Sequence, residues 1–199
     1  MGQGSTVFTI GHSSHPQRRF EELLRHAGIT AIADVRSAPF SRMNPQFNQD
    51  ALKASLKKIG IEYSFLGREL GGRPAGPQFF CDGVADYDRM AERPEFEEGL
   101  QRVIKGARRY RVALLCSEHD PLDCHRCLLV GRQLLLKGVN VEHVLADGTI
   151  LNQGAIEERL LAPIRRAQND LFLSRDELLS LAYRERSRSV AFQEPKQAS

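Results

Sequence analysis

The chain has 199 residues, 41% of them hydrophobic and 27% charged, a balance ordinary for one soluble domain with a single sizeable core. No stretch approaches the roughly 18 to 20 unbroken apolar residues of a membrane helix, and Met1 to Thr6 carries no signal-peptide pattern, so the cytoplasm is the expected compartment. The formal charge of +3 is too mild to call for nucleic acid by itself.

In chain order, strand-like and helix-like segments alternate. Val7 to Ile10 is a short β-rich run ended by Gly11, and Phe20, Leu23, Leu24 and Ala27 follow at helical spacing up to Gly28. Ala31 to Val35 reads as a second, buried strand. Asn48 is placed to cap a helix carrying Leu52, Leu56 and Ile59, with lysines near its end and Gly60 past it. Ile61 to Leu66 is a third strand. Gly67 to Asp86, rich in Gly and Pro, is expected to be a binding loop or lid. Phe96, Leu100, Val103, Ile104 and Ala107 mark another amphipathic helix. Val112 to Cys116 is the most apolar strand and belongs at the sheet centre, Leu128 to Leu136 reads as a helix, and Val141 to Leu145 as a last strand.

This rhythm predicts an α/β fold: a doubly wound, mostly parallel sheet of about five strands with helices on both faces, followed by C-terminal helices. The expected units are an α/β domain over 5–150, a helical extension over 151–186 whose second helix opens on the capping box Ser174-x-x-Glu177, and a disordered tail over 187–199. Seven arginines between Arg159 and Arg188 face four acids. That is either a solvated helical face or a basic surface for nucleic acid.

In a parallel sheet ligands bind beyond the carboxyl ends of the strands. Those ends carry His12, Ser13 and His15 after the first strand and Asp34, Arg36, Ser37 and Arg42 after the second. The third is followed by Arg68, Glu69, Gly71 and Gly72, and the fourth by Cys116, Glu118, His119, Cys124, His125 and Arg126. The opposite ends carry little. One pocket at that rim is the expectation.

The phrases TIGHS, ADVRSAPFSR, GIEYSFLGRELGG and LLCSEHDPLDCHR, in this order from about Thr9 to Gly148, resemble the motif set of the family catalogued as domain of unknown function 488. Cys127 stands outside that pattern. The resemblance implies a fold and a motif set but brings no mechanism.

Three functions fit the sequence, two of them at the rim. The leading one is an enzyme for a small anionic, phosphate-bearing or nucleotide-like substrate. There Arg36, Arg42, Arg126, Ser13, Gly71 and Gly72 bind the ligand and Asp34, Glu118, Cys124 and His12 act as proton-transfer groups or nucleophile. Asp34 has an alternative role as the group that holds Arg36 or Arg126. The second is a metal- or redox-binding domain. Of Cys81, Cys116, Cys124 and Cys127, the last three crowd into one twelve-residue segment, too close for a disulfide-stapled fold, and Cys116, Cys124 and His125 suit zinc or iron. The third is nucleic-acid association through the C-terminal helices. No Gly-rich dinucleotide fingerprint or phosphate-cradling Gly-Lys-Ser/Thr loop is present.

Overall fold

The computed structural model describes residues 5–167 and 173–194. Its main sheet has six strands in the order β3-β2-β6-β1-β7-β8. The elements in chain order are β1 (Thr6–Gly11), α1 (Gln17–His26), β2 (Ala31–Asp34), α2 (Gln49–Lys58), β3 (Glu62–Phe65), α3 (Gly67–Leu70), the hairpin β4 (Phe80–Cys81) and β5 (Val84–Ala85), α4 (Tyr87–Ala91), α5 (Pro94–Ala107), β6 (Val112–Cys116), α6 (Arg132–Leu136), β7 (Asn140–Val144), β8 (Ile150–Asn152), α7 (Gln153–Ala167) and α8 (Arg175–Val190). β3, β2, β6, β1 and β7 run parallel, and β8 pairs antiparallel with β7.

The chain winds from β1 through β2 to β3 in one direction, then returns through β6 to β7 in the other. Because parallel crossovers are right-handed, this reversal sends α1 and α2 to one face and the later helices to the opposite face. Side-chain alternation along the strands separates the two cores accordingly. Phe8, Ile10, Ile32, Ala113 and Leu115 pack with Phe20, Leu23 and Leu24 of α1 and Leu52 and Leu56 of α2. Val7, Ala31, Ala33, Val112 and Leu114 pack with Phe96, Leu100 and Val103 of α5, Leu128 and Leu134, and Ile156 and Leu160 of α7. All five residues of β6 are buried, as expected for a central strand.

Four expectations shift. β8 makes the main sheet six strands rather than about five. The helix after β6 starts before Leu128, with a π-helical stretch over Arg126–Gly131 that runs into α6. The Gly67 to Asp86 stretch has structure of its own: Asp82 and Gly83 take positive φ (52° and 74°), the signature of the tight turn that closes β4 and β5. The boundary expected near Ser187 falls inside α8, whose capping box Ser174–Glu177 is present and which continues to Val190. Past it, the Ala85 N–H donates to the Phe192 carbonyl at 2.8 Å and the Glu194 N–H to the Gly83 carbonyl at 2.9 Å, so the chain lies along the hairpin instead of fraying. Residues 195–199 of the expected tail lie outside the described residues.

A buried polar relay ties α7 and α8 to the sheet. Thr9 Oγ1 donates to His143 Nδ1 at 2.8 Å, and His143 Nε2 donates to Gln153 Oε1 at 2.7 Å. Gln153 Nε2 donates to Tyr183 Oη at 2.6 Å, which donates to Glu157 Oε1 at 3.1 Å. This assignment satisfies every link with a neutral His143, and burial pushes its pKa down from 6.5 to about 4. The folded ring resists protonation, so its contribution to stability is complete above pH 6.5 and lost as pH falls through 4. Urea unfolding midpoints for wild type should therefore fall between those pH values, and His143→Leu should show a shallower fall by up to about 1.4 kcal/mol per pH unit. Identical slopes for the two proteins would contradict the assignment.

Candidate functional site

The parallel registers bring the strand exits level. Gly11 of β1 pairs with Cys116 of β6, and Asp34 of β2 pairs with Leu115 on one side and Phe65 of β3 on the other. Pairing continues past the strands: the His12 N–H donates to the Cys116 carbonyl and the Ser13 N–H to the Ser117 carbonyl, both at 2.9 Å. The stretches around His12, Arg36, Gly71 and Cys124 therefore meet at one rim.

Two buried arginines shape that rim. The Arg36 guanidinium grips Asp34 with both arms, Nε to Oδ1 at 2.8 Å and Nη2 to Oδ2 at 2.6 Å, and donates from Nη1 to the Phe47 carbonyl at 2.9 Å. Tyr63 Oη donates to Asp34 Oδ2 at 2.7 Å. Asp34 thus stands as the clamp on Arg36, the alternative its sequence position offered. Arg126, fully buried, donates from Nη1 to the Glu118 carbonyl at 2.7 Å and from Nη2 to the His119 carbonyl at 3.1 Å, holding the loop after β6 from beneath. That loop crosses Gly11 so closely that a Cβ there would lie 1.8 Å from the Glu118 carbonyl oxygen. Only glycine fits.

Between the exits of β2 and β6 lies a cavity of about 260 Å³. Arg36, Ser37, Gly72, Arg73 and Tyr87 line its sides, Phe192 closes it from the C-terminal segment, and Cys116, Glu118, Cys124 and His125 also face it. Arg73 is exposed, with its guanidinium 5.2 Å over the Phe192 ring. Gly72 packs against His125: a Cβ would stand 2.7 Å from its Cγ. Gly71 likewise abuts Ser37. The remaining sequence-nominated residues stand elsewhere. His12 is buried in a stack on Phe47, ring centroids 4.4 Å apart, with Nδ1 2.8 Å from the Ser13 carbonyl. Burial pushes its pKa down to about 4. His12, Ser13, Arg42 and Arg126 are not among the residues that line the cavity, and Arg42 is exposed.

The four chemically active side chains in the cavity wall touch one another. Cys124 sits just ahead of the π-helical stretch, where its sulfur accepts the Arg126 backbone N–H at 3.4 Å. His125 Nε2 donates to the Val35 carbonyl at 2.9 Å, which leaves Nδ1 facing Cys116 Sγ at 3.6 Å and Cys124 Sγ at 3.8 Å. Glu118 Oε2 lies 3.0 Å from Cys124 Sγ. Burial by itself raises the Cys124 thiol, but the Cys116 hydrogen bond and the charges of Arg126 and His125 outweigh it and hold Cys124 well below the ordinary thiol value. Burial lowers His125, and the adjacent Cys124 sulfur more than reverses that. Burial first, then Cys124, raise both Cys116 and Glu118.

Tyr63, Tyr87, Phe47 and Phe192 were not singled out as site residues by sequence. Tyr63 and Phe47 look like ordinary core aromatics, and Phe192 reaches the cavity only through long-range pairing. The clamp carries a stability consequence. Asp34→Ala leaves the Arg36 charge buried without its partner and should cost about 3–5 kcal/mol in chemical denaturation; a cost under about 1 kcal/mol would mean that water reaches the guanidinium.

A family model described as "Domain of unknown function DUF488" matches residues 16–133, narrower at both ends than the motif run from Thr9 to Gly148. No curated protein and no solved structure matches the chain. With three of the four motifs lining one cavity and more than half of the chain matched, the protein belongs to the DUF488 family.

Proposed function

We propose that the chain is an enzyme acting on a small anionic, phosphate-bearing molecule in the strand-end cavity, with the Cys124, His125 and Glu118 cluster as its reactive wall. One observation carries this reading: an exposed arginine, Arg73, and the buried side chains of Cys116, Cys124 and His125 face the same cleft, with Glu118 at its exposed edge. Arg36 adds to the anion side, since its three hydrogen bonds use three of its five N–H donors. The volume, about 260 Å³, lies just below the usual range for ligand pockets and favours a small phosphate ester over a dinucleotide. Burial of Cys116 and His125 beneath the cavity keeps water from levelling the charges there.

The nucleic-acid reading draws little from the C-terminal arginines. Arg159 pairs with Asp120, Arg175 with Glu157 and Glu158, Arg186 with Asp123, and Arg188 with Asp82. Charges already matched to carboxylates offer a weak field to a phosphate backbone.

Thermal-shift titration with inorganic phosphate, sugar phosphates and nucleoside monophosphates tests the proposal. At least one should raise the melting temperature saturably, and Arg73→Ala should weaken that ligand by about tenfold or more, the worth of a charged hydrogen bond. No stabilising anion, or equal affinity in the variant, would overturn it.

A further inference from the structure

Cys116 ends the central strand, while Cys124 and His125 open the helical segment that follows. The loop between them returns over Gly11, held down by Arg126. Two sulfurs and one ring nitrogen are thereby delivered to one point, all within 4.8 Å of one another and all buried. The spacing fits a specific chemistry. Bonds of about 2.3 Å to sulfur and 2.05 Å to nitrogen at the tetrahedral angle place such ligand atoms about 3.6 Å apart. The two sulfur–nitrogen edges here are 3.6 and 3.8 Å.

The imidazole is also set for coordination. Its Nε2 is committed to the Val35 carbonyl at 2.9 Å, so the tautomer that satisfies this bond presents the Nδ1 lone pair to both sulfurs. Gly72 packs on the other side of the ring, where a methyl group would collide with it, so the ring has little room to turn away. The Arg126 backbone N–H on Cys124 supports a thiolate ligand from behind.

We infer that Cys116, Cys124 and His125 form a binding site for a thiophilic divalent transition-metal ion, zinc being the best fit to two sulfurs and an imidazole, with its fourth position open to the cavity. Three protein ligands and one open position are the pattern of a catalytic rather than a structural zinc. The open position faces the space lined by Arg73 and Ser37, and Glu118 stands beside it, in contact with Cys124. A water molecule or an oxygen of the substrate anion takes that place. This deepens the enzymatic reading by giving the anion a Lewis acid to meet. Cys127 takes no part: it is buried in the other core, among Leu128, Leu129 and Val130.

The test is metal uptake by the full chain, reduced and freed of metal, in the absence of any substrate. One zinc per chain is the expected stoichiometry, with cobalt(II) giving the intense thiolate charge-transfer absorption of a two-sulfur tetrahedral site. Cys116→Ser, Cys124→Ser and His125→Gln should each weaken zinc by about 100-fold or more, beyond the 10–100-fold loss typical of groups that only orient a ligand. Cys81→Ser should bind as wild type does. Should a variant fail to fold, the cobalt spectrum of wild type still decides: no thiolate absorption, or zinc below about 0.1 equivalent per chain, overturns the site. Unchanged affinity in folded Cys124→Ser overturns it as well. Since uptake is read without substrate, it stands or falls separately from phosphate binding, which the thermal shift with chelator present reads alone.

Discussion

The rim of the sheet depends on one buried guanidinium. Arg126 lies under the loop after β6 and spends its two terminal nitrogens on the Glu118 and His119 carbonyls. A buried cation is expensive unless its hydrogen bonds are met, so those two carbonyls are held where the arginine needs them. The loop is thereby drawn over Gly11, and the turn that follows points Cys124 and His125 back toward Cys116. Without this anchor the segment from Ser117 to Asp123 would keep the Ser13 bond to the Ser117 carbonyl, the Arg186 bond to the Leu122 carbonyl, its own 3-10 turn and surface ion pairs, but would lose the bonds that draw the Glu118 and His119 carbonyls inward. The residue that resembles an anion binder in the sequence is the support beneath the loop that carries Cys124 and His125.

Asp34 and Arg36 do the same for the neighbouring exit, with Tyr63 as a third member. Their charges cancel, and the Phe47 carbonyl links the pair to the loop before α2. Val35, between them, lends its carbonyl to His125. The β2 exit therefore orients the imidazole even though neither of its charged residues touches it. Geometry at the cavity wall is set by backbone groups of two adjacent strands, which are among the least mobile parts of such a fold.

How much of this was legible in the sequence follows from range. The apolar run Val112 to Cys116 announces a central strand because burial on both faces leaves a local mark. The strand-end clusters announce a site because the topology of a parallel sheet places all carboxyl ends together. Cys116, Cys124 and His125, which lie within 4.8 Å of one another, were among the wider set of ligand-type residues that the chemistry of the rim offered. β8 was not, because three residues make no periodic pattern. The early start of the helix was not, because His125, Arg126 and Cys127 carry no apolar stripe while the π-helical geometry buries all of Arg126 to Gly131. The segment after Ser187 reads as a tail by composition, yet it is paired to a hairpin more than one hundred positions earlier, and such pairing leaves no local trace.

That last point bears on what the C-terminal helices are for. α8 packs through Tyr183 into a relay that ends on Thr9 in the middle of the sheet, so its position is referred to β1 by directional bonds and not by apolar contact alone. Its final turn and the residues after it place Val190 and Phe192 in the cavity wall, with Phe192 against Phe80 and under Arg73. Removing that wall would open the cluster to solvent, where water screens Arg73 from the groups that face it. An aromatic that holds the one exposed arginine of the cavity by its face, and narrows the same entrance, couples the extension to the electrostatics of the strand ends. The extension is part of the cavity wall.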